Sequence, residues 1–173
     1  MSEIEQAIRN VPDFPRPGIL FRDIAPLLRD HFDVTIRALD ALLSEEEWSE
    51  LDAVAGIESR GFILGAAMAM HRGKGFVLVR KQGKLPPPVV DISYDLEYGS
   101  GTLEMQRGNG RLLLVDDVLA TGGTLTGAAK LCERAGYQLK SLAVLVDLGL
   151  LADYSWHGLT VRTVVQYQPR LQP

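Results

Sequence analysis

Two adjacent carboxylates, Asp116 and Asp117, stand shortly ahead of a run of small and hydroxylated residues, Ala120-Thr121-Gly122-Gly123-Thr124. A glycine pair lets the backbone turn sharply and expose its N–H groups, and Thr124 suits the N-cap of a helix that follows. Orphan amides and the positive end of a helix dipole then converge on one corner, which favours a phosphate monoester. Carboxylates in front of such a cradle can accept hydrogen bonds from the vicinal hydroxyls of a ribose whose 5'-phosphate sits in it. Neighbouring strand residues face opposite ways, so both acids reach one ligand only if the strand ends there. The stretch has neither the lysine of a Walker A loop nor three spaced glycines, which argues against nucleoside triphosphate hydrolysis and against a dinucleotide.

A second anion site is expected at Glu58-Ser59-Arg60-Gly61, between an apolar stretch over 53–57 and a helix from Phe62 towards His71 that Gly73 stops. In an open parallel sheet, ligands gather at the carboxyl ends of the strands, so this turn and the acidic pair share one edge. Taken alone, the turn reads equally well as a capped helix start. A further apolar stretch over 76–79 delivers Arg80, Lys81 and, past Gly83, Lys84 to the same edge, although a cation cluster by itself is also an ordinary solvated surface.

The elements that must hold these residues are legible in outline. Leu112 to Val115 is unbroken and apolar, as in a strand buried on both faces of a parallel sheet. Leu125, Ala128, Ala129 and Cys132 form the apolar side of the helix after the cradle. Ile4, Ala7, Ile8 and Val11 have the spacing of a short helix that Pro12 terminates, and a proline-rich loop over 14–24 follows. Phe32, Ile36, Leu39 and Leu43 fall on one helical face, and Ser44 with Glu47 has capping-box spacing ahead of Trp48. Ile92, Tyr94, Leu96 and Tyr98 alternate with polar residues before Gly99-Ser100-Gly101 reverses the chain into 102–105, as in a hairpin. Leu142 to Val146 and Leu159 to Tyr167 complete the strands. The expected fold is a single α/β domain over 1–173 with a mostly parallel twisted sheet flanked by helices.

Composition agrees: 173 residues with 46% hydrophobic content suit one soluble globular domain with a full core, and a net charge of −4 argues against nucleic acid as a partner. No apolar run approaches the length of a membrane span, and Met1-Ser2-Glu3-Ile4-Glu5 does not resemble a signal peptide, so a cytoplasmic location is expected. The one cysteine rules out a disulfide framework. His31, His71 and His157 lack metal-ligand spacing.

Val115-Asp116-Asp117-Val118-Leu119-Ala120-Thr121-Gly122-Gly123-Thr124 resembles the phosphoribosyl pyrophosphate (PRPP) motif of the type I phosphoribosyltransferases. Pro17-Gly18-Ile19-Leu20-Phe21-Arg22-Asp23-Ile24 and Tyr94-Asp95-Leu96-Glu97-Tyr98-Gly99 resemble two segments of the adenine phosphoribosyltransferases, the base-binding segment and the active-site hood. The resemblance implies transfer of the phosphoribosyl group of PRPP to adenine, giving AMP and pyrophosphate. Asp116 and Asp117 would hold the ribose, and Ala120, Thr121, Gly122, Gly123 and Thr124 the 5'-phosphate. Ser59, Arg60, Arg80, Lys81 and Lys84 would meet pyrophosphate, with Glu58 standing where the family usually has Asp. Leu20 would read the base through its backbone, with Phe21 and Arg22 shaping the slot, and Glu97 and Arg60 would be catalytic. It further implies Mg2+ carried mainly by pyrophosphate oxygens with no direct protein ligand, a mobile hood over about 82–105, and a homodimer. Two other readings share the central motif: a xanthine-type enzyme, and a PRPP-sensing regulator without catalysis.

Overall fold

The apolar run at 112–115 has no polar side chain to offer either face of a sheet, and both faces are covered. The computed structural model describes residues 3–95 and 100–168. In chain order these form α1 (Glu3–Ala7), β1 (Arg9–Val11), β2 (Phe21–Asp23), α2 (Ala25–Asp30), α3 (Phe32–Asp40), α4 (Glu45–Glu50), β3 (Ala53–Ile57) and α5 (Arg60–His71). There follow β4 (Gly75–Lys81), β5 (Val89–Asp95), β6 (Ser100–Gln106), β7 (Arg111–Leu119), α6 (Gly123–Arg134), β8 (Gln138–Asp147), β9 (Ser155–Trp156) and β10 (Leu159–Gln166). One sheet runs β5-β6-β4-β3-β7-β8-β10-β9, with β1 and β2 paired in a separate ribbon. Its centre, β4-β3-β7-β8-β10, is parallel, and β6, β5 and β9 add antiparallel edges. The mostly parallel α/β fold expected from the sequence is what forms.

Strand alternation divides the core in two. Leu113 and Val115 pack with Leu39, Trp48, Leu64 and Met68 from the helices α3 to α5, while Leu112 and Leu114 pack with Leu125, Ala129 and Cys132 of α6. Leu112, Leu113 and Leu114 are fully buried, and each such side chain contributes about 1.5 to 3 kcal/mol, so the position of β7 is tightly fixed. Cys132 is buried as expected, and burial pushes its thiol up to about 12. The capping box at α4 is present: Ser44 N–H donates to Glu47 Oε2 at 2.8 Å and Glu47 N–H to Ser44 Oγ at 3.2 Å. Trp48 is buried and donates its Nε1–H to the Asp40 carbonyl at 3.0 Å.

Local readings gave way to pairing at the N-terminus. The helix expected to reach Val11 stops at Ala7, because Arg9–Val11 finds an antiparallel partner in Phe21–Asp23, inside the segment expected to be loop. Helix α2 was not anticipated from its short apolar pattern. Helix α5 begins at Arg60 rather than Phe62, and α6 is capped by Gly122 in the left-handed region (φ 79°), with Thr124 inside the first turn and no side-chain cap. The hairpin pairs from Val89↔Gln106 to Asp95↔Ser100, while Leu96, Glu97, Tyr98 and Gly99 lie outside the described residues.

Candidate active site

The site forms where two neighbours of β7 part company. Pairing of β3 with β7 ends at Gly56↔Val115, whereas β8 continues alongside to Leu119↔Asp147. The acids were expected at the end of their strand. Instead the strand runs on past them, and it is the loss of the β3 partner that opens one side of Asp116 and Asp117 to a ligand.

The space beyond the end of β3 is a cavity of about 380 Å³. Ser59, Arg60, Lys81, Asp116, Asp117, Ala120, Thr121, Gly122, Gly123 and Thr124 all line it, so residues from three separated stretches of sequence meet in one place. Helix α5 comes this close because residue 61 is glycine: a Cβ there would stand 2.9 Å from the Val115 carbonyl and 3.0 Å from Asp116 Oδ1. Arg60, at the start of that helix, places its guanidinium 2.8 Å from Asp117 Oδ2. Gly122 reaches its positive φ against Tyr154 and Leu151, where a Cβ would meet the two side chains at 2.9 and 3.1 Å. Tyr154 is held by a 2.9 Å hydrogen bond with Thr126, so the segment after β8 backs the cradle.

Asp116 and Asp117 are buried, not exposed at a strand tip. Burial first, and then the neighbouring Asp117 charge, holds the Asp116 carboxyl well above the usual aspartate range. Burial also raises Asp117, against the opposing pull of Arg60. The Asp117 N–H donates to Asp116 Oδ1 at 2.9 Å, which fixes that carboxylate beside its neighbour. A pair of crowded, dehydrated acids is therefore poised to receive hydroxyl donors or positive charge.

The other expected residues are placed less directly. Arg80 and Lys84 do not line the cavity. Arg80 donates from Nε to Glu58 Oε2 and from a terminal nitrogen to the Lys84 carbonyl, both at 3.2 Å, and lies over the Phe62 ring. Glu58 also accepts the Lys81 N–H at 3.0 Å, and these donors outweigh the upward push of burial and hold its carboxyl below the usual range. Leu20, Phe21 and Arg22 stand outside the cavity wall. Phe21 meets Phe14 edge-on at 5.1 Å, and Arg60 lies over its ring at 5.4 Å, so Phe21 adjoins the site through Arg60. Arg22 instead stacks over Tyr167 at 3.8 Å and donates to Asn10. Glu97 lies outside the described residues. Tyr94 of the hood motif and Val118 and Leu119 of the PRPP motif also line the cavity although no individual role was expected of them, and Leu103 of the hairpin lines it without having been singled out; strand alternation says nothing of what such residues face.

Comparison with known proteins agrees with this geometry. The family profile described as phosphoribosyl transferase domain matches residues 32–150. The adenine phosphoribosyltransferase of Hydrogenovibrio crunogenus is 52% identical over 165 residues, covering 95% of this chain and 96% of that one. The chain belongs to the adenine phosphoribosyltransferase family. Among solved members of the family, the Rhodothermus marinus enzyme superposes with a TM-score of 0.81 at 45% identity, covering 95% of this chain and 96% of its own. The Saccharomyces cerevisiae enzyme, solved with an imino-altritol bisphosphate and adenine, gives 0.86 at 36% identity, covering 94% and 96%.

The burial of Asp116 has a measurable consequence. A raised carboxyl stabilises the folded chain below the ordinary aspartate range, and that contribution is lost as pH rises through the raised value. Asp116→Asn, which keeps the shape and removes the charge, should therefore raise the melting temperature of the ligand-free protein at neutral pH, and the gap to wild type should close as the solution is acidified. A melting temperature that falls at neutral pH would sink the assignment of Asp116 as a strained buried acid.

Proposed function

We propose that the chain transfers the phosphoribosyl group of PRPP to adenine, forming AMP and releasing pyrophosphate. The observation that carries this reading is the meeting, in one cavity, of two buried adjacent acids, the glycine-capped start of α6, and Arg60 with Lys81. An anion cradle, hydroxyl acceptors and cations are the three kinds of partner that the 5'-phosphate, ribose and pyrophosphate of PRPP require.

In this reading the amides around Ala120, Thr121, Gly122, Gly123 and Thr124 hold the 5'-phosphate, and Asp116 and Asp117 accept from the ribose hydroxyls. A leaving pyrophosphate and a weak nitrogen nucleophile imply a loose, oxocarbenium-like transition state at the sugar carbon. Ser59, Arg60 and Lys81 meet the charge that develops on pyrophosphate, with Lys84 on the loop behind them. Arg60 lines the same cavity and is paired with Asp117. Arg80 enters as a brace between the Glu58 turn and the Lys84 loop, in place of the direct pyrophosphate contact implied by the resemblance.

Mg2+ held mainly by pyrophosphate oxygens and water fits a cavity whose wall includes carboxylates of the chain, Glu58, Asp116 and Asp117. When bound, Mg2+ supplies charge neutralisation on pyrophosphate. Leu20 and Phe21 are assigned to the base, with the Arg60 guanidinium over the Phe21 ring and Arg22 supporting the slot. The hairpin serves as the hood, its Tyr94 already on the cavity wall, and excludes water that would otherwise hydrolyse PRPP. Glu97, in the hood motif of the sequence, is assigned as the group that shares the imidazole proton of adenine. A cytoplasmic location fits these substrates.

A homodimer is supported by an exposed apolar stripe. Ile63 and Met70 lie a helical repeat apart on α5, 44% and 86% exposed, and Leu78 is 38% exposed on the sheet face that carries Phe76 against that helix.

Three measurements test these assignments. With PRPP and Mg2+, adenine should give AMP while hypoxanthine, guanine and xanthine react far more slowly, because exchanging an amino group for a carbonyl opposes acceptor to acceptor; comparable rates with hypoxanthine would overturn the choice of base. Glu97→Ala should slow the single-turnover chemical step by ~10²-fold or more with a smaller effect on PRPP affinity, and an unchanged step would reduce Glu97 to a hairpin residue. Met70→Asp should shift the sedimentation of the protein from dimer to monomer; a wild type that already sediments as a fully active monomer contradicts the dimer.

A further inference from the structure

Among the described residues, the least exposed carboxylate outside the acidic pair is Glu104, only 3% exposed in β6 and absent from the chemistry above. It stands opposite Arg80 across the β4-β6 ladder. Its side chain accepts three consecutive backbone N–H groups: Gly83 on Oε2 at 3.0 Å, and Lys84 and Leu85 on Oε1, both at 2.6 Å. Burial opposes its ionisation, but the three amides outweigh that and hold the carboxyl below the usual glutamate range.

The other side of the same loop is held by Arg80, which donates to the Lys84 carbonyl, and Arg80 is held in turn by Glu58 at the start of the Ser59-Arg60 turn. Gly83 takes a positive φ of 80°, and a Cβ there would meet nothing within 4 Å, so at this residue the turn is held by hydrogen bonds, its own N–H to Glu104 and, one residue on, Arg80 to the Lys84 carbonyl. The loop leaves β4 immediately after Lys81, which with Arg60 lines the cavity wall.

We propose that Glu104 is a positioning residue for the pyrophosphate half of the reaction, a buried anion that captures the amides of Gly83, Lys84 and Leu85 and thereby sets where the Lys81 and Lys84 side chains stand. This rests on the functional reading above. Only a carboxylate satisfies all three donors: a neutral amide offers a single oxygen and turns its own N–H2 on a backbone N–H. Because the carboxylate sits on the hood arm β6, the cation loop is registered to the hood as well as to the turn at Ser59.

The test is Glu104→Gln, which keeps the volume. The KM for PRPP should rise by about tenfold or more and pyrophosphate affinity should fall in step, while the KM for adenine and AMP affinity stay within about twofold. An unchanged PRPP KM and pyrophosphate affinity would overturn the proposal, as would equal losses for AMP, adenine and PRPP, which mark general damage. Should the amide variant fail to fold, Glu104→Asp keeps the charge, shortens the reach and should give a smaller loss on the same two readouts. Amide hydrogen exchange of the wild type decides independently of turnover: Gly83, Lys84 and Leu85 should be protected, and exchange at solvent rates refutes the clamp. A wild type that makes no AMP refutes the functional reading and leaves the exchange result standing.

Discussion

Two carboxyl groups forced together out of water are the constraint around which the site is arranged. Asp116 and Asp117 are consecutive on a strand whose neighbour on one side has stopped, so the backbone cannot separate them and solvent cannot screen them. Such a pair is costly unless positive charge or donors reach it. The Arg60 guanidinium does so, and it is there because Gly61 lets α5 lie directly against β7. Removing that glycine would push the helix away from the strand and leave the acids without their partner. A ligand that presents hydroxyl donors to the acids and an anion to Arg60 relieves both sides of the contact together, which gives binding a driving force that a solvated pair of aspartates would not supply.

The rest of the fold keeps this arrangement rigid. Alternation along β7 sends successive leucines into separate clusters, so the strand is gripped from both faces up to the residue before the acids. Helix α6 then starts without a side-chain cap, and its backing comes from Tyr154 and Leu151 on a segment far along the chain. Tyr94 ties the hairpin to the same helix: a Cβ at Gly127 would come within 2.9 Å of it, so the absence of a side chain at 127 is what lets β5 lie down on α6.

What could be read from the sequence was what depends on neighbours in the chain. The apolar run, the two acids and the glycine pair are contiguous, and their order alone locates the phosphate corner; the Ser44 and Glu47 capping box is likewise local. Contacts between distant residues were not readable. The pairing of Arg9–Val11 with Phe21–Asp23 overrode an adequate helical pattern. Arg80 looked like a free cation at a strand end, and only the fold brings Glu58 to its Nε. Arg22 looked like part of a base slot, yet Tyr167, near the other end of the chain, offers its ring face as the competing partner. Thr124 has the right chemistry for a cap, but the left-handed turn at Gly122 starts the helix first. The burial of the acids was hidden for a related reason: a carboxylate reads as exposed until the helix that covers it is known.

The thiol of Cys132 offers a practical consequence. It is the one cysteine of the chain, sealed beneath α6 with its ionisation pushed up to about 12, so almost no thiolate exists at neutral pH to attack an electrophile or enter a disulfide. The folded protein is in effect a cysteine-free background. A fluorophore or spin label attached through a single cysteine introduced on the outer surface of the β5-β6 arm would report from that place alone, and whether the arm moves relative to the cavity could be measured without first removing the native sulfur.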